Sequence, residues 1–219
     1  MHGALHHTIA RHARSIRAGI RMAAITALLA HAPASLRAQG TGNPADVAFM
    51  QGMIGHHGQA LRMTSLVPER TTRADVRMLA EKIEASQLGE ITTMKRWLAD
   101  HHQEIPADPM ASGPHTGMQM SGNMKMDMPA LMPGMLTEQE MAQLAATKGA
   151  DFDKQFLTFM IRHHEGALTM VARLLGTAGA AQESQMFGFS SDVDADQRGE
   201  IKRMRAMLNA PAQKNTRGK

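Results

Sequence analysis

Phe49-Met50-Gln51-Gly52-Met53-Ile54-Gly55-His56-His57-Gly58-Gln59-Ala60-Leu61-Arg62-Met63 is a stretch that occurs twice. It returns 107 residues later as Phe156-Leu157-Thr158-Phe159-Met160-Ile161-Arg162-His163-His164-Glu165-Gly166-Ala167-Leu168-Thr169-Met170. Phe, Met, Ile, both His, Ala, Leu and the final Met coincide at that single offset. Residues three and four apart share one face of a helix, so Met53 lies one turn from His56 and His57. Met160 has the same relation to His163 and His164, and Met63 and Met170 follow two turns beyond the first His. Thioether and imidazole donors therefore recur at the same steps of two equivalent segments, in a chain with 21 Met and no Cys. Such soft donors suit Cu(I) better than hard cations, which require oxygen ligands.

The repeat continues. Gln87-Leu88-Gly89-Glu90-Ile91-Thr92-Thr93-Met94-Lys95-Arg96-Trp97-Leu98 matches Gln197-Arg198-Gly199-Glu200-Ile201-Lys202-Arg203-Met204-Arg205-Ala206-Met207-Leu208 at an offset of 110. Each unit is a His-bearing helix, a turn and a second helix. Asn43-Pro44 provides an N-cap and a first-turn proline, and Pro68 is expected to stop the first helix. The second is expected over about 72–101, the third over about 149–175 with Gly176 at its end, and the fourth over about 180–208 before Pro211. Thr137-Glu138-Gln139-Glu140 reads as a capping box opening a short extra helix. Two such hairpins joined by a long crossing segment predict an all-α, ferritin-like four-helix bundle. Gly52, Gly55 and Gly58 each cost up to about 1 kcal/mol in a helix interior. They make sense where that face meets a neighbour or ligand closely.

The segment between the hairpins is of another kind. From His101 to Met135 it holds eight Met, three His and five Pro, with Met118-x-Met120 and Met124-x-Met126-x-Met128. Pro and Gly argue against regular structure, so a flexible loop is expected. Linkers ordinarily favour polar residues, because exposed Met is apolar and open to oxidation. Clustered thioethers here can gather around one soft ion, with His101, His102 and His115 as further donors. The plain alternative is a linker that merely contains methionines.

The organisation expected is a secretory signal at 1–38, hairpins at 39–102 and 137–210, the Met/His-rich loop at 103–136 and a disordered tail at 211–219. Arg11, Arg14, Arg17 and Arg21 precede the uncharged run Met22-Ala23-Ala24-Ile25-Thr26-Ala27-Leu28-Leu29-Ala30, the n- and h-regions of such a signal. Cleavage is expected after Ala34 or Ala38, which implies a periplasmic or secreted protein without stable membrane insertion. The first 38 residues hold five of the 24 basic residues and no acid, leaving 19 basic against 20 acidic. A net charge near −1 and few aromatics exclude a nucleic-acid-binding footprint. Without Cys, stability must come from packing, and from metal if metal is bound.

Enzyme motifs are missing. Di-iron bundles take Glu-x-x-His pairs, and no Glu in the sequence precedes a His at that spacing. Glu90 and Glu200 are expected to cap, to pair with Lys or Arg, or to hold an imidazole N–H. His164-Glu165 runs on to Leu168 instead of completing a zincin motif, and neither a phosphate loop nor a nucleophile elbow is found.

Asp46, Phe49, Met53, His56, His57, Ala60, Met63, Gln87, Glu90, Ile91, Met94, Trp97 and Leu98 together resemble the domain of unknown function 305 family, whose best-understood kind are CopM-like periplasmic copper-binding proteins. Asp153, Phe156, Met160, His163, His164, Ala167, Met170, Gln197, Glu200, Ile201, Met204 and Leu208 repeat the pattern, with Met207 in place of the Trp. The resemblance implies a ferritin-like bundle, export, and copper held by Met and His.

The function expected is buffering or sequestration of Cu(I), and of Ag(I) on the same donors, in support of metal tolerance. The metal donors would be the two His pairs with Met53, Met63, Met94, Met160, Met170 and Met204, fed by the Met tract. Partners would be metal ions and other periplasmic copper carriers, and no catalysis is expected. Acid should weaken binding, because imidazole must be neutral to ligate. A structural or interaction protein of the cell envelope is the runner-up, and a redox enzyme oxidising Cu(I) the third reading.

Overall fold

Asn43 opens the first helix as its sequence implies: its Oδ1 accepts the Ala45 N–H at 2.8 Å, and Pro44 occupies the first turn. The structure, a computed structural model, describes residues 42–107 and 132–210. The expected signal, the tract 108–131 with His115 and Met118 to Met128, and the tail 211–219 lie outside the described residues. Among those described, all regular structure is helical: α1 (Pro44–Thr64), α2 (Val67–Arg70), α3 (Ala74–Asp100), α4 (Glu138–Ala146), α5 (Gly149–Leu175) and α6 (Ser184–Asn209). Helix α1 packs against α3 and α5, and α5 against α6, so each repeat is a hairpin and the two hairpins meet along α1 and α5.

Two boundaries differ from expectation. The first helix ends at Thr64, where the Thr64 and Ser65 hydroxyls donate to the Leu61 and Arg62 carbonyls. Pro68 does not stop it, but sits in the first turn of α2, where its missing N–H costs nothing. The last helix begins at Ser184, four residues later than 180, because the turn before it is held by the other repeat. Gly179 and Ala181 adopt left-handed backbone with φ of 78° and 52°. Asn43 Nδ2 donates to the Gly179 carbonyl at 2.6 Å, and Asp46 Oδ1 accepts the Ala181 N–H at 2.8 Å. Burial raises the Asp46 pKa against the opposing pull of that bond.

Helix α5 runs over Gly149–Leu175 with Gly176 as its cap, as expected. The capping box is also present: Glu140 N–H donates to Thr137 Oγ1 at 3.1 Å, and Thr137 N–H to Glu140 Oε2 at 2.8 Å. Arg162 donates to Glu140 at 2.6 Å and holds its carboxyl down to about 2.

The apolar side chains form two clusters. One gathers Phe49, Met53, Ile54, Met94, Trp97, Val171 and Phe189; the other gathers Met63, Ile83, Phe152, Phe156, Met160 and Met204. Every long helix places buried polar residues between them: His56, His57 and Gln59 on α1, Gln87 on α3, His163 and His164 on α5, and Gln197 on α6, while Asp46, Thr64, Asp153 and Ser190 are buried elsewhere along the helices. Burying polar groups inside an apolar core is costly unless each finds a partner. The repeat thus builds a polar layer across the middle of the molecule.

Candidate metal centre

All four histidines of the repeated pairs are completely buried. The 107-residue repeat brings His56 and His163 together, with ring centroids 3.9 Å apart and planes inclined by 35°. His57 and His164 flank them at 6.4 and 6.2 Å from their own neighbours.

Hydrogen bonds fix the rings. His56 Nε2 donates to the Pro133 carbonyl at 3.0 Å, and His163 Nε2 to the His56 carbonyl at 3.0 Å. His57 Nε2 donates to Glu90 Oε2, and His164 Nε2 donates to Glu200 Oε2 at 2.6 Å. Of the roles open to Glu90 and Glu200, holding an imidazole N–H is the one the structure uses. In a neutral ring, a carboxylate or carbonyl acceptor at Nε2 places the proton there and leaves Nδ1 with a bare lone pair. None of the four Nδ1 atoms has a hydrogen-bond partner among the described residues, and Gln87 Nε2, Gln87 Oε1 and Gln197 Oε1 in the same layer also lack one. Each such atom costs roughly 1–3 kcal/mol. Folded proteins leave few buried polar atoms unpartnered, so a cluster of them at equivalent positions sets this layer apart from the rest of the core.

Burial, reinforced by the neighbouring imidazoles, lowers the His56 pKa to about 3 and takes His163 well below the ordinary histidine value. The expected weakening of metal binding in mild acid therefore does not extend to these two.

The carboxylates that hold His57 and His164 are reached from a cleft between α3 and α6. Glu90 lines a cavity of about 580 Å³ and Glu200 one of about 300 Å³, with Asp196 bordering both. Desolvation, then the charges of Glu90, Glu200 and Asp192, raises the Asp196 pKa.

The remaining candidate donors divide. Met53, Met63, Met94, Met160 and Met204 are fully buried in the two clusters, and Met170 is partly exposed. His101 is committed elsewhere: its ring stacks on Trp97 at 3.9 Å, Nδ1 donates to the Trp97 carbonyl at 2.7 Å, and Nε2 reaches Glu183 at 3.0 Å. These bonds raise its pKa against the desolvation that would lower it. With both nitrogens engaged, His101 has no lone pair to offer in this conformation. His102 occupies the adjoining turn with φ of 54°. Among the described residues no three His, Asp or Glu side chains converge as a metal site on their own.

Residues 132–136 escaped the sequence reading, which treated them as the end of a flexible loop. They form a strap across α1 and α5. Gln59 Nε2 donates to the Leu136 carbonyl at 2.8 Å, and Gln59 Oε1 accepts the Leu136 N–H at 2.7 Å. Gly134, at φ 76°, lies so close to α5 that a Cβ there would stand 2.3 Å from the Arg162 carbonyl oxygen. This close passage carries the Pro133 carbonyl to His56.

Residues 46–208, which span both histidine pairs and both hairpins, match the family described as Domain of unknown function (DUF305). The chain belongs to the DUF305 family. A DUF305 fragment from Deinococcus radiodurans is similar in structure, with 30% identity, a TM-score of 0.60, and coverage of 77% of this chain and 97% of that one. A DUF305 protein from Streptomyces coelicolor shares 27% identity at a TM-score of 0.60, over 75% of this chain and 91% of that one. CopM in a Cu(II)-bound form shares 25% identity at a TM-score of 0.55, over 74% and 95% of the two chains. Its Cu(I)-bound form gives a TM-score of 0.53 at 24% identity, over 74% and 94%. No curated protein matches the sequence. In this DUF305 protein no helix among the described residues is long and apolar enough to cross a membrane.

Proposed function

We propose that this DUF305 protein is a periplasmic or secreted copper binder that buffers or sequesters Cu(I), or Ag(I) on the same donors, and is not an enzyme. The fold we infer is a ferritin-like four-helix bundle of two duplicated hairpins. Copper is its cargo. The observation that carries this reading is the set of four buried Nδ1 atoms without hydrogen-bond partners, at repeat-equivalent positions in one polar layer. Glu90 and Glu200 hold two rings in the tautomer that exposes Nδ1, the Pro133 and His56 carbonyls hold the other two, and such support raises the basicity of a ligating imidazole. Met53 and Met160, one helical turn away, are the nearest thioethers in sequence, and soft ions accept a mixed sulfur and nitrogen set. The copper-bound forms of CopM, a structural relative, support the same direction. The Met tract before the strap would capture ions and exchange them with other carriers.

The test is an anaerobic competition between the intact chain and a chromophoric Cu(I) chelator. Changing His56, His57, His163 and His164 together to Ala should weaken Cu(I) retention at least about 100-fold, equivalent to roughly 2.7 kcal/mol, with helical content retained by circular dichroism. Equal retention by both proteins would remove the histidines from the site. No retention by either would favour the envelope-interaction reading.

A further inference from the structure

Gly52 sits on the face of α1 that receives the strap. A Cβ built at Gly52 would lie 3.5 Å from Met132 Sδ and also 3.5 Å from the Met170 methyl, and one at Gly55 would lie 3.5 Å from the Met132 methyl. Two thioethers, one from the strap and one from α5, therefore converge on a notch that exists because α1 has no side chains there. Both methionines are partly exposed, unlike the fully buried methionines of the apolar clusters.

The duplication supplies an internal comparison. At the 107-residue offset, Gly52 and Gly55 correspond to Phe159 and Arg162. There Arg162 lies over the Phe159 ring at 5.2 Å and donates to Glu140. Met63, the counterpart of Met170, is completely buried. The second repeat has filled the position that the first repeat leaves open. Met132 is also positioned, since the next residue gives its carbonyl to His56 and Leu136 is held twice by Gln59. A gap-filling role alone would be met by any flexible apolar side chain. Two partly exposed methionines, one directly after the Met-rich tract and one on α5, beside the strap contact to His56, meet the donor preference of a soft monovalent ion.

We propose that Met132 and Met170 form a second, thioether-only site for Cu(I) or Ag(I) over the Gly52–Gly55 notch, with no counterpart over Phe159 and Arg162. It rests on the soft-metal reading above and adds a site without a histidine of its own. Met132 follows the Met tract directly in sequence and precedes the Pro133 contact to His56, so an ion captured by the tract would next be held here.

The test uses Ag(I) with the full chain, labelled with 13C at the Met methyls and 15N at the imidazoles. The Met132 and Met170 methyl resonances should move in the same titration step. Met132→Leu, which conserves volume, should raise the Ag(I) concentration that half-shifts Met170 at least tenfold and leave the imidazole response intact. Gly52→Phe, which copies the second repeat, should do the same. Met170 shifting at an unchanged concentration in both variants, or the two methyls moving in separate steps, overturns the site. Silent methyls with responding imidazoles overturn this site and leave the histidine reading standing. Silence of both overturns the two together.

Discussion

Gly166→Ala is expected to lower stability by about 3 kcal/mol or more, placing it among the costliest single changes in the chain. A Cβ at Gly166 would stand 1.8 Å from the Pro133 carbonyl oxygen, 2.4 Å from its carbon and 2.8 Å from Gly134 Cα. These atoms are backbone, so no rotamer change relieves the clash, and the strap must lift from α5. Lifting it removes the Pro133 acceptor from His56, breaks both Gln59–Leu136 bonds and exposes Leu136, which is 1% accessible. For a domain of this size the loss corresponds to a fall in Tm of roughly 6–12 °C. Gly89→Ala and Gly199→Ala supply the contrast, because nothing lies within 4 Å of a Cβ at either position. Replacing an open helix-interior Gly by Ala should stabilise by about 0.5–1 kcal/mol. Thermal melts of the three variants check the contrast. A Gly166→Ala Tm within 2 °C of the parent would mean that the strap does not pass where it is described.

Acid should destabilise the metal-free protein well above the carboxylate range. His56 and His163 are held neutral when folded, while in the unfolded chain they titrate near the ordinary value of 6.5. Below about pH 6.5 the unfolded state therefore binds more protons, and stability falls as pH falls toward 3. By pH 5 the His56 contribution alone is about 2 kcal/mol, at about 1.36 kcal/mol per pH unit, and His163 adds in the same direction. His101 cannot cause this loss. Its folded pKa is raised, so its contribution is present below 6.5 and is lost only at higher pH. Glu140, lowered from 4.5 to about 2, loses its contribution below pH 4.5. The raised pKa values of Asp46 and Asp196 work the other way, gaining stability as pH falls through their folded values. Urea unfolding at pH 7.5, 6.5, 5.5 and 4.5 should show a decline beginning near 6.5 that disappears in the His56→Gln, His163→Gln double variant. A stability flat from 7.5 to 4.5 would contradict the buried neutral pair.

Much of this was legible in the sequence, and the reasons for the rest are specific. The helical repeat, the Asn43 cap, the Thr137 capping box and the α5 boundaries are local patterns, fixed by residues within a few positions of each other. The same duplication marked His56 and His163 as equivalent positions, but that their rings meet is seen only in the structure. What could not be read depends on contacts between distant parts of the chain. The late start of α6 comes from Asn43 and Asp46, more than 130 residues earlier. Pro68 was ambiguous because one residue type both ends helices and begins them. His101 looked like a free donor beside the Met tract until Trp97 and Glu183 closed on it. The strap was hidden within Pro- and Gly-rich sequence, and its one usable signal was Gly166 within an otherwise strong helix, opposite the Gly134 that crosses it.

The most direct measurement of the central claim is nitrogen-resolved NMR of the imidazoles. The full chain, labelled with 15N, would be titrated anaerobically with Cu(I), and long-range 15N–1H correlations would read Nδ1 and Nε2 separately. The Nδ1 resonances of His56, His57, His163 and His164 should move with bound copper while their Nε2–H bonds to Pro133, Glu90, His56 and Glu200 persist. Four Nδ1 resonances unchanged at saturating Cu(I) would contradict the claim, leaving the histidine layer as a polar core that holds no metal.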